Sequence, residues 1–326
     1  MKYVVTGGAG LIGSSIIWKL NQLGIDDILV VDHLSTSEKW KNLRALSYAD
    51  YMEKECFMEK LSAGALPRDI ECVIHMGACS STTEKDASYL IANNFEYTKK
   101  LALYCVTRSI QFLYASSAAT YGGGEHGYKD DETCLEVLRP LNMYGYSKQM
   151  FDLWARSQGL LSSITGVKFT NVFGPNELHK GEMRSVVCRA WEQIRDTGKV
   201  CLFKSYRSEY ADGEQKRDFI YVKDAVEMVL FLLRNKLCGI YNIGSGRAET
   251  WNALATAVFK AMGKPVQIEY IEMPESLRPK YQYYTCADMT KFDAVGTGIK
   301  ARSLEQAAAD YVAVLNAGSE KYGDLQ

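Results

Sequence analysis

Short apolar runs recur along the first half of the chain, separated by longer stretches of helical pattern. Lys2–Thr6, Ile28–Asp32, Cys72–His75, Phe112–Ser116 and Ile164–Phe169 read as strands. Leu11–Leu23, Glu84–Val106 and Tyr144–Gln158 read as helices between them. Strands of this kind alternating with helices predict a parallel sheet covered on both faces, a doubly wound α/β fold. After Gly174-Pro175 the pattern loosens into a helix over Ser185–Asp196, a strand over Val200–Phe203 and a polar stretch over Ser205–Gln215. Short elements follow at Phe219–Val222, Ala225–Arg234, Ile240–Ile243, Trp251–Met262 and Gln267–Ile271, then a helix near Leu304–Leu315.

The first strand runs straight into glycines at Gly7, Gly10 and Gly13. Between a strand and a helix, that spacing predicts a dinucleotide-binding turn. Gly7 permits the tight turn, Gly10 lets backbone N–H groups approach a pyrophosphate, and Gly13 lets the helix pack close to the strand. The helix N-terminus then presents its positive dipole end to the phosphates. The run Ile28-Leu29-Val30-Val31 ends on Asp32, which fits the second strand of a βαβ unit and its ribose-binding carboxylate. The expected organisation is a Rossmann-type domain over residues 1–172 and a smaller α/β substrate lobe over 173–326, with some segments returning to the first domain.

The 326 residues suffice for a sizeable core. With 38 basic and 39 acidic residues, the chain carries no electrostatic footprint for nucleic acid or anionic lipid. No apolar run reaches membrane-spanning length, so no membrane partner is expected. Nine scattered cysteines lack CxxC or Cys/His metal spacing, and Cys72, Cys105 and Cys201 read as small core residues. These features predict a metal-free protein of the reducing cytoplasm.

The candidate chemistry lies in Tyr114-Ala-Ser116-Ser117-Ala-Ala-Thr120-Tyr121-Gly122 and in Tyr144-Gly-Tyr-Ser-Lys148. Tyr144 and Lys148, four apart, share one helix face. An ammonium beside the phenol lowers its pKa from about 10 toward neutrality. The phenolate can then take a proton from an alcohol as hydride leaves for a nicotinamide. A serine at the neighbouring strand end can hold the same oxygen. On an arbitrary helix this spacing reads as surface pairing; the glycine turn and the serine-rich strand end favour the catalytic reading.

These motifs resemble the extended short-chain dehydrogenase/reductase family over nearly the full chain. Within it, several segments resemble the ADP-L-glycero-D-manno-heptose 6-epimerase branch. They are Gly77-Ala-Cys-Ser-Ser-Thr-Thr-Glu84, Tyr114–Gly122, Asn142–Lys148, Asn171-Val-Phe-Gly-Pro175 and His179-Lys180-Gly181. Lys216-Arg217-Asp-Phe-Ile-Tyr221, Asn242–Glu249 and Tyr281-Gln282 belong to the same likeness. Thr-Thr-Glu and His-Lys-Gly separate it from the UDP-galactose 4-epimerases. Thr120 is followed by Tyr121-Gly122 rather than an Asp-Glu pair, which argues against a 4,6-dehydratase.

The resemblance implies a redox-neutral inversion at C6 of ADP-heptose for lipopolysaccharide inner-core synthesis, through a transient ketone. It assigns Tyr144 to one face and Lys180 to the other, Lys148 beside the phenol and Ser117 to the substrate oxygen. A lysine in such a loop is otherwise a solvated charge, and Ser116 can be satisfied by backbone. The implied cofactor contacts are Gly7, Gly10, Leu11, Ile12, Gly13, Asp32, His33, Lys39 and Lys54. They continue through Met76, Gly77, Ala78, Cys79, Ser80, Asn93 and Val172, with Lys148 and Lys180. Asp32 by itself argues for NAD; Lys39 and Lys54, by resemblance, point to the 2′-phosphate of NADP, the favoured cofactor.

The substrate set is Ser117, Asn171, Glu182, Arg189, Phe203, Lys204, Ser205, Tyr206, Arg217 and Tyr281. A guanidinium at Arg217 can fork onto diphosphate oxygens, or pair with Asp218 instead. Met76, Glu182, Arg189 and the length of Tyr206–Gln215 depart from the branch pattern, which bears on the sugar and nucleotide rather than the reaction class. A nucleotide-sugar substrate and a homo-oligomer, a pentamer by resemblance, are the implied partners. The alternatives are an epimerase or reductase on another nucleotide sugar, such as a UDP-hexose, and a non-catalytic cofactor sensor.

Overall fold

Every residue of β2 (Ile28–Asp32) is buried, a pattern that only a strand covered on both faces can satisfy. The computed structural model describes residues 1–275, 277–278, 281–296 and 298–318. Around β2 stand β1 (Tyr3–Thr6), β3 (Asp50–Glu53), β4 (Cys72–His75), β5 (Gln111–Ser117) and β6 (Thr165–Phe169). The intervening helices are α1 (Leu11–Gln22), α2 (Lys54–Ser62), α3 (Ala87–Leu90), α4 (Tyr97–Thr107) and α5 (Met143–Ser157).

The later elements follow in chain order. They begin with β7 (Asn171–Phe173), α6 (Val186–Thr197), β8 (Val200–Phe203), β9 (Lys216–Tyr221), α7 (Val222–Arg234) and β10 (Gly239–Ile243). β11 (Ala248–Thr250), α8 (Trp251–Ala261), β12 (Ile268–Ile271), α9 (Thr290–Ala294) and α10 (Leu304–Asn316) follow.

Seven strands form one sheet in the order β10-β6-β5-β4-β1-β2-β3. All six pairings are parallel. This is the Rossmann-type architecture the apolar runs predict. The strand order reverses between β1 and β4, and such a switch point opens a crevice at the carboxyl ends of the strands. Outside this sheet, β9 pairs antiparallel with β11 and parallel with β7, and β12 pairs parallel with β8.

Five elements escaped the sequence pattern: β3, α2, β7, β11 and α9. β3 is an edge strand in which only Met52 is buried, and the α2 that follows buries only Phe57. The helix expected over Glu84–Val106 starts instead at Ala87, where Asp86 caps it, and passes through a π-helical stretch at Ile91–Glu96. Cys72 and Cys105 are buried as expected, whereas Cys201 is half-buried because it lies on the partly exposed β8. Among the described residues, no helix is long and apolar enough to cross a membrane.

Candidate active site

The glycine turn lies at the switch point with almost no spare room. Gly7 adopts φ +65°, and a Cβ there would lie 2.6 Å from the Gly77 amide nitrogen, beyond the end of β4. A Cβ on Gly13 would lie 2.1 Å from the Gly7 carbonyl oxygen, so α1 can sit this close only without a side chain. Gly10 occupies the N-cap of α1 with no side-chain cap, leaving first-turn amides open to a ligand. This cradle of bare backbone at a helix N-terminus fits a dinucleotide pyrophosphate.

Two contiguous cavities share Gly7, Asp32, Lys39, Gly77, Ala78 and Cys79. The smaller, about 140 Å³, also takes in His33, Lys54 and Asn93, together with Tyr89 and Tyr97. The larger, about 510 Å³, runs past Gly10, Leu11, Ile12, Gly13, Met76 and Ser80 to Ser117, Tyr144, Lys148, Val172 and Lys180. Every expected cofactor contact therefore lines one cleft.

At the first end of that cleft Asp32 is already engaged. Its Oδ2 accepts from the Ala9 amide at 2.8 Å, and its Oδ1 accepts from the His33 amide at 2.7 Å and from Lys39 Nζ at 2.6 Å. Lys54 Nζ donates to Asn93 Oδ1 at 2.8 Å. The carboxylate is thus held by the protein, with a cation beside it.

At the other end, the Asn142 side chain accepts from the Gly145 amide at 2.8 Å and starts α5 at Met143. Tyr144 therefore lies in the first turn, with Lys148 one turn on. The expected depression of the phenol by Lys148 does not occur. Burial raises Tyr144 above the usual tyrosine range, opposed by a hydrogen bond with Ser117. Lys148 Nζ instead donates to the Ala115 carbonyl at 2.8 Å, and burial pushes this ammonium down to about 8 against the opposing charge of Asp152.

Ser116, expected to be satisfied by backbone, instead donates to the Asp152 side chain, at 2.7 Å from Oδ2. Asp152 also accepts from Tyr114 at 2.9 Å and pairs with Lys168 at 2.9 Å, with both charges fully buried. This ion pair was missed, although two signals were available. Asp152 continues the Tyr144, Lys148 face by one more turn, and Lys168 is a charge inside an apolar strand. Asn94 was also missed: it pairs with both the amide and the carbonyl of Cys79 at 2.9 Å and donates to Ser147 Oγ at 3.0 Å. It thereby ties the loop after β4 to α5.

Lys180 lies in the turn Leu178–Met183, where Gly181 adopts φ +53°. It is half-buried, and burial lowers its pKa while Glu177 opposes the shift. Ser117, Tyr144, Lys148 and Lys180 thus face one cavity.

The remaining substrate candidates lie outside the lining of that cavity. Arg217 is buried, its guanidinium 5.1 Å from the Tyr281 ring centre and 5.7 Å from that of Trp251, and it donates to the Lys216 and Gln282 carbonyls. The alternative ion pair with Asp218 is not formed, because Asp218 accepts from Ser245, Gly246 and Ala287. Lys204 and Tyr206 both engage Glu272, while the Ser205 amide donates to Asp212 at 2.7 Å. Phe203 is half-buried, Asn171 and Glu182 are exposed, and the buried Nε of Arg189 has no hydrogen-bond partner among the described residues.

Comparison with known proteins decides the family. Residues 3–244 match the model of the NAD-dependent epimerase/dehydratase family. The chain belongs to this family. Among curated family relatives, an ADP-L-glycero-D-manno-heptose-6-epimerase of Nitratidesulfovibrio vulgaris is 54% identical over 311 residues, spanning 95% of this chain and 96% of that protein. The Fusobacterium nucleatum enzyme of the same name is 47% identical, spanning 98% and 99%. In fold, this epimerase/dehydratase chain is similar to the Helicobacter pylori ADP-L-glycero-D-manno-heptose-6-epimerase, at TM-score 0.82 and 22% identity over 97% of this chain and 96% of that one. It is also similar to a Thermus thermophilus UDP-glucose 4-epimerase in complex with NAD, at TM-score 0.76 and 25% identity over 97% and 99%.

Proposed function

We propose that the protein inverts C6 of ADP-D-glycero-D-manno-heptose, giving the L-glycero epimer through a transient 6-ketone. The reading is carried by Tyr144 and Lys180 lining one cavity in a chain 54% identical, nearly end to end, to a protein named for that reaction. A bound nicotinamide dinucleotide supplies reversible hydride acceptance and donation, which makes the overall conversion redox-neutral. The glycine turn would hold its pyrophosphate, and Asp32, Lys39, Lys54 and Asn93 its adenosine end.

The chain's own residues handle the proton. When C6 is oxidised, the O6 proton passes to a base on one face; when C6 is reduced from the opposite face, an acid on that side returns a proton to O6. Tyr144, which lines the cavity together with Ser117, serves one face. Lys180, whose burial loosens its hold on its proton, serves the other. Ser117 holds O6 beside the phenol. Lys148 supplies positive charge beneath the site, and the buried Asp152–Lys168 pair braces the helix that carries it. Arg217, flanked by Tyr281 and Trp251, is the candidate diphosphate ligand.

NADP is favoured over NAD because the Lys39 ammonium, paired with Asp32, and Lys54 both line the cavity at this end of the cleft, two cations to meet a 2′-phosphate. The test is incubation of pure protein with the ADP-D-glycero epimer and proton NMR of the C6 configuration. Conversion to a mixture of epimers supports the reading. No conversion, alongside turnover of a UDP-hexose, would transfer the same machinery to another nucleotide sugar.

A further inference from the structure

Asn42 had no place in the sequence reading, yet it joins the two halves of the site. It lies buried in the turn Glu38–Leu43, three residues after Lys39. Its carboxamide nitrogen donates to the Ala9 carbonyl at 2.8 Å and to the Asn176 carbonyl at 3.0 Å, and lies 3.3 Å from His179 Nδ1. A carboxamide nitrogen carries two hydrogens, so the two backbone carbonyls use its full capacity. Ala9 belongs to the glycine turn, and Asn176 and His179 belong to the loop that bears Lys180.

That loop has one more anchor on the cofactor side. Asn176 adopts φ +75°, uncommon for a residue with a Cβ, and its side chain donates to Ser14 Oγ on α1 at 2.8 Å. Within the loop, the Lys180 amide donates to the Glu177 carbonyl at 2.9 Å, so moving residues 176–177 moves Lys180 with them. The Asn42 and Asn176 side chains therefore both tie the loop that bears the second proton-transfer group to the cofactor side, Asn42 directly to the glycine turn.

We propose that Asn42 is a positioning residue for Lys180, bridging the glycine turn and the Lys180 loop so that the ammonium stands opposite Tyr144 across the cleft. This rests on the two-sided proton transfer proposed above. A displacement of about 1 Å in a reacting group costs on the order of 10²-fold in rate, enough to make such a bridge matter.

The test compares Asn42→Ala, Lys180→Met and the double variant, each purified with its cofactor. Two reactions are followed. One is epimerisation; the other is dismutation of an analogue bearing an aldehyde at C6, in which one aldehyde hydrate is oxidised to the acid and a second aldehyde is reduced to the alcohol. Dismutation needs no inversion and so no opposed pair. Asn42→Ala is expected to lower kcat for epimerisation at least tenfold, with dismutation within threefold of the parent and cofactor content per chain unchanged. Added to Lys180→Met, it should change the remaining epimerisation less than twofold, because its effect passes through Lys180.

Parallel loss of both reactions, loss of cofactor in step with activity, multiplicative effects in the double variant, or parental epimerisation would each overturn the proposal. If Asn42→Ala does not fold, Asn42→Ser keeps one donor and should give a smaller loss of epimerisation with dismutation still spared. Parental epimerisation in Lys180→Met alone would instead overturn the two-sided reading itself.

Discussion

The Asp32 carboxylate meets the Lys39 ammonium at 2.6 Å while its other oxygen holds the Ala9 amide of the glycine turn. In this arrangement the acid is neutralised by a cation, and Lys54 lines the same cavity, so two ammonium groups are available to a 2′-phosphate. The cofactor released by heat from purified protein should therefore run as NADP on chromatography. Lys39→Ala should weaken NADP retention roughly 10–100-fold, the worth of one charge-assisted hydrogen bond, and NAD retention far less. Recovery of NAD alone would show that Asp32 outweighs Lys39 and Lys54.

Tyr144→Phe removes one oxygen from a half-buried ring and little volume. The fold and cofactor content should be unchanged, while epimerisation falls by roughly 10²–10⁴, the usual worth of a general acid–base group. A loss smaller than tenfold by the NMR assay would remove Tyr144 from this role.

Lys148 gives a pH signature. Its pKa is about 8 in the folded chain against an ordinary value of 10.5. Between those values the unfolded chain binds more protons, so stability rises with pH. In cofactor-stripped protein, urea unfolding at pH 7 and pH 10 should show the parent gaining about 2 kcal/mol relative to Lys148→Met. The absence of this relative gain would mean that Lys148 is not penalised by burial.

Gly13→Ala tests the cradle. Its Cβ would lie 2.1 Å from the Gly7 carbonyl oxygen and 2.8 Å from Gly8 Cα, both backbone atoms that cannot rotate away. The variant should purify with at least tenfold less bound dinucleotide, read from adenine absorbance of the heat-released supernatant. Full occupancy would show that α1 can move away from the turn without loosening the site.

What the sequence revealed follows from how locally each feature is encoded. The interior strands of the large sheet stood out because both of their faces are buried, as at Ile28–Asp32. β3 buries one residue and carries no such run. The glycine turn was legible because three backbone constraints fall within seven residues. Asn42 was not, because its partners lie 33, 134 and 137 residues away and only the folded chain brings them together. The Tyr144–Lys148 spacing was plain, but its electrostatics were not. Lys148 turns to the Ala115 carbonyl, a direction that spacing does not encode.

The most direct measurement is the behaviour of Lys180→Met toward ADP-heptose and toward the C6-aldehyde analogue. If Tyr144 and Lys180 serve opposite faces of one ketone, epimerisation should fall by roughly 10²–10⁴ while much of the dismutation survives on Tyr144 alone. The double variant with Tyr144→Phe should lose both reactions. Full epimerase activity in Lys180→Met would contradict the account and return Lys180 to the status of a loop charge.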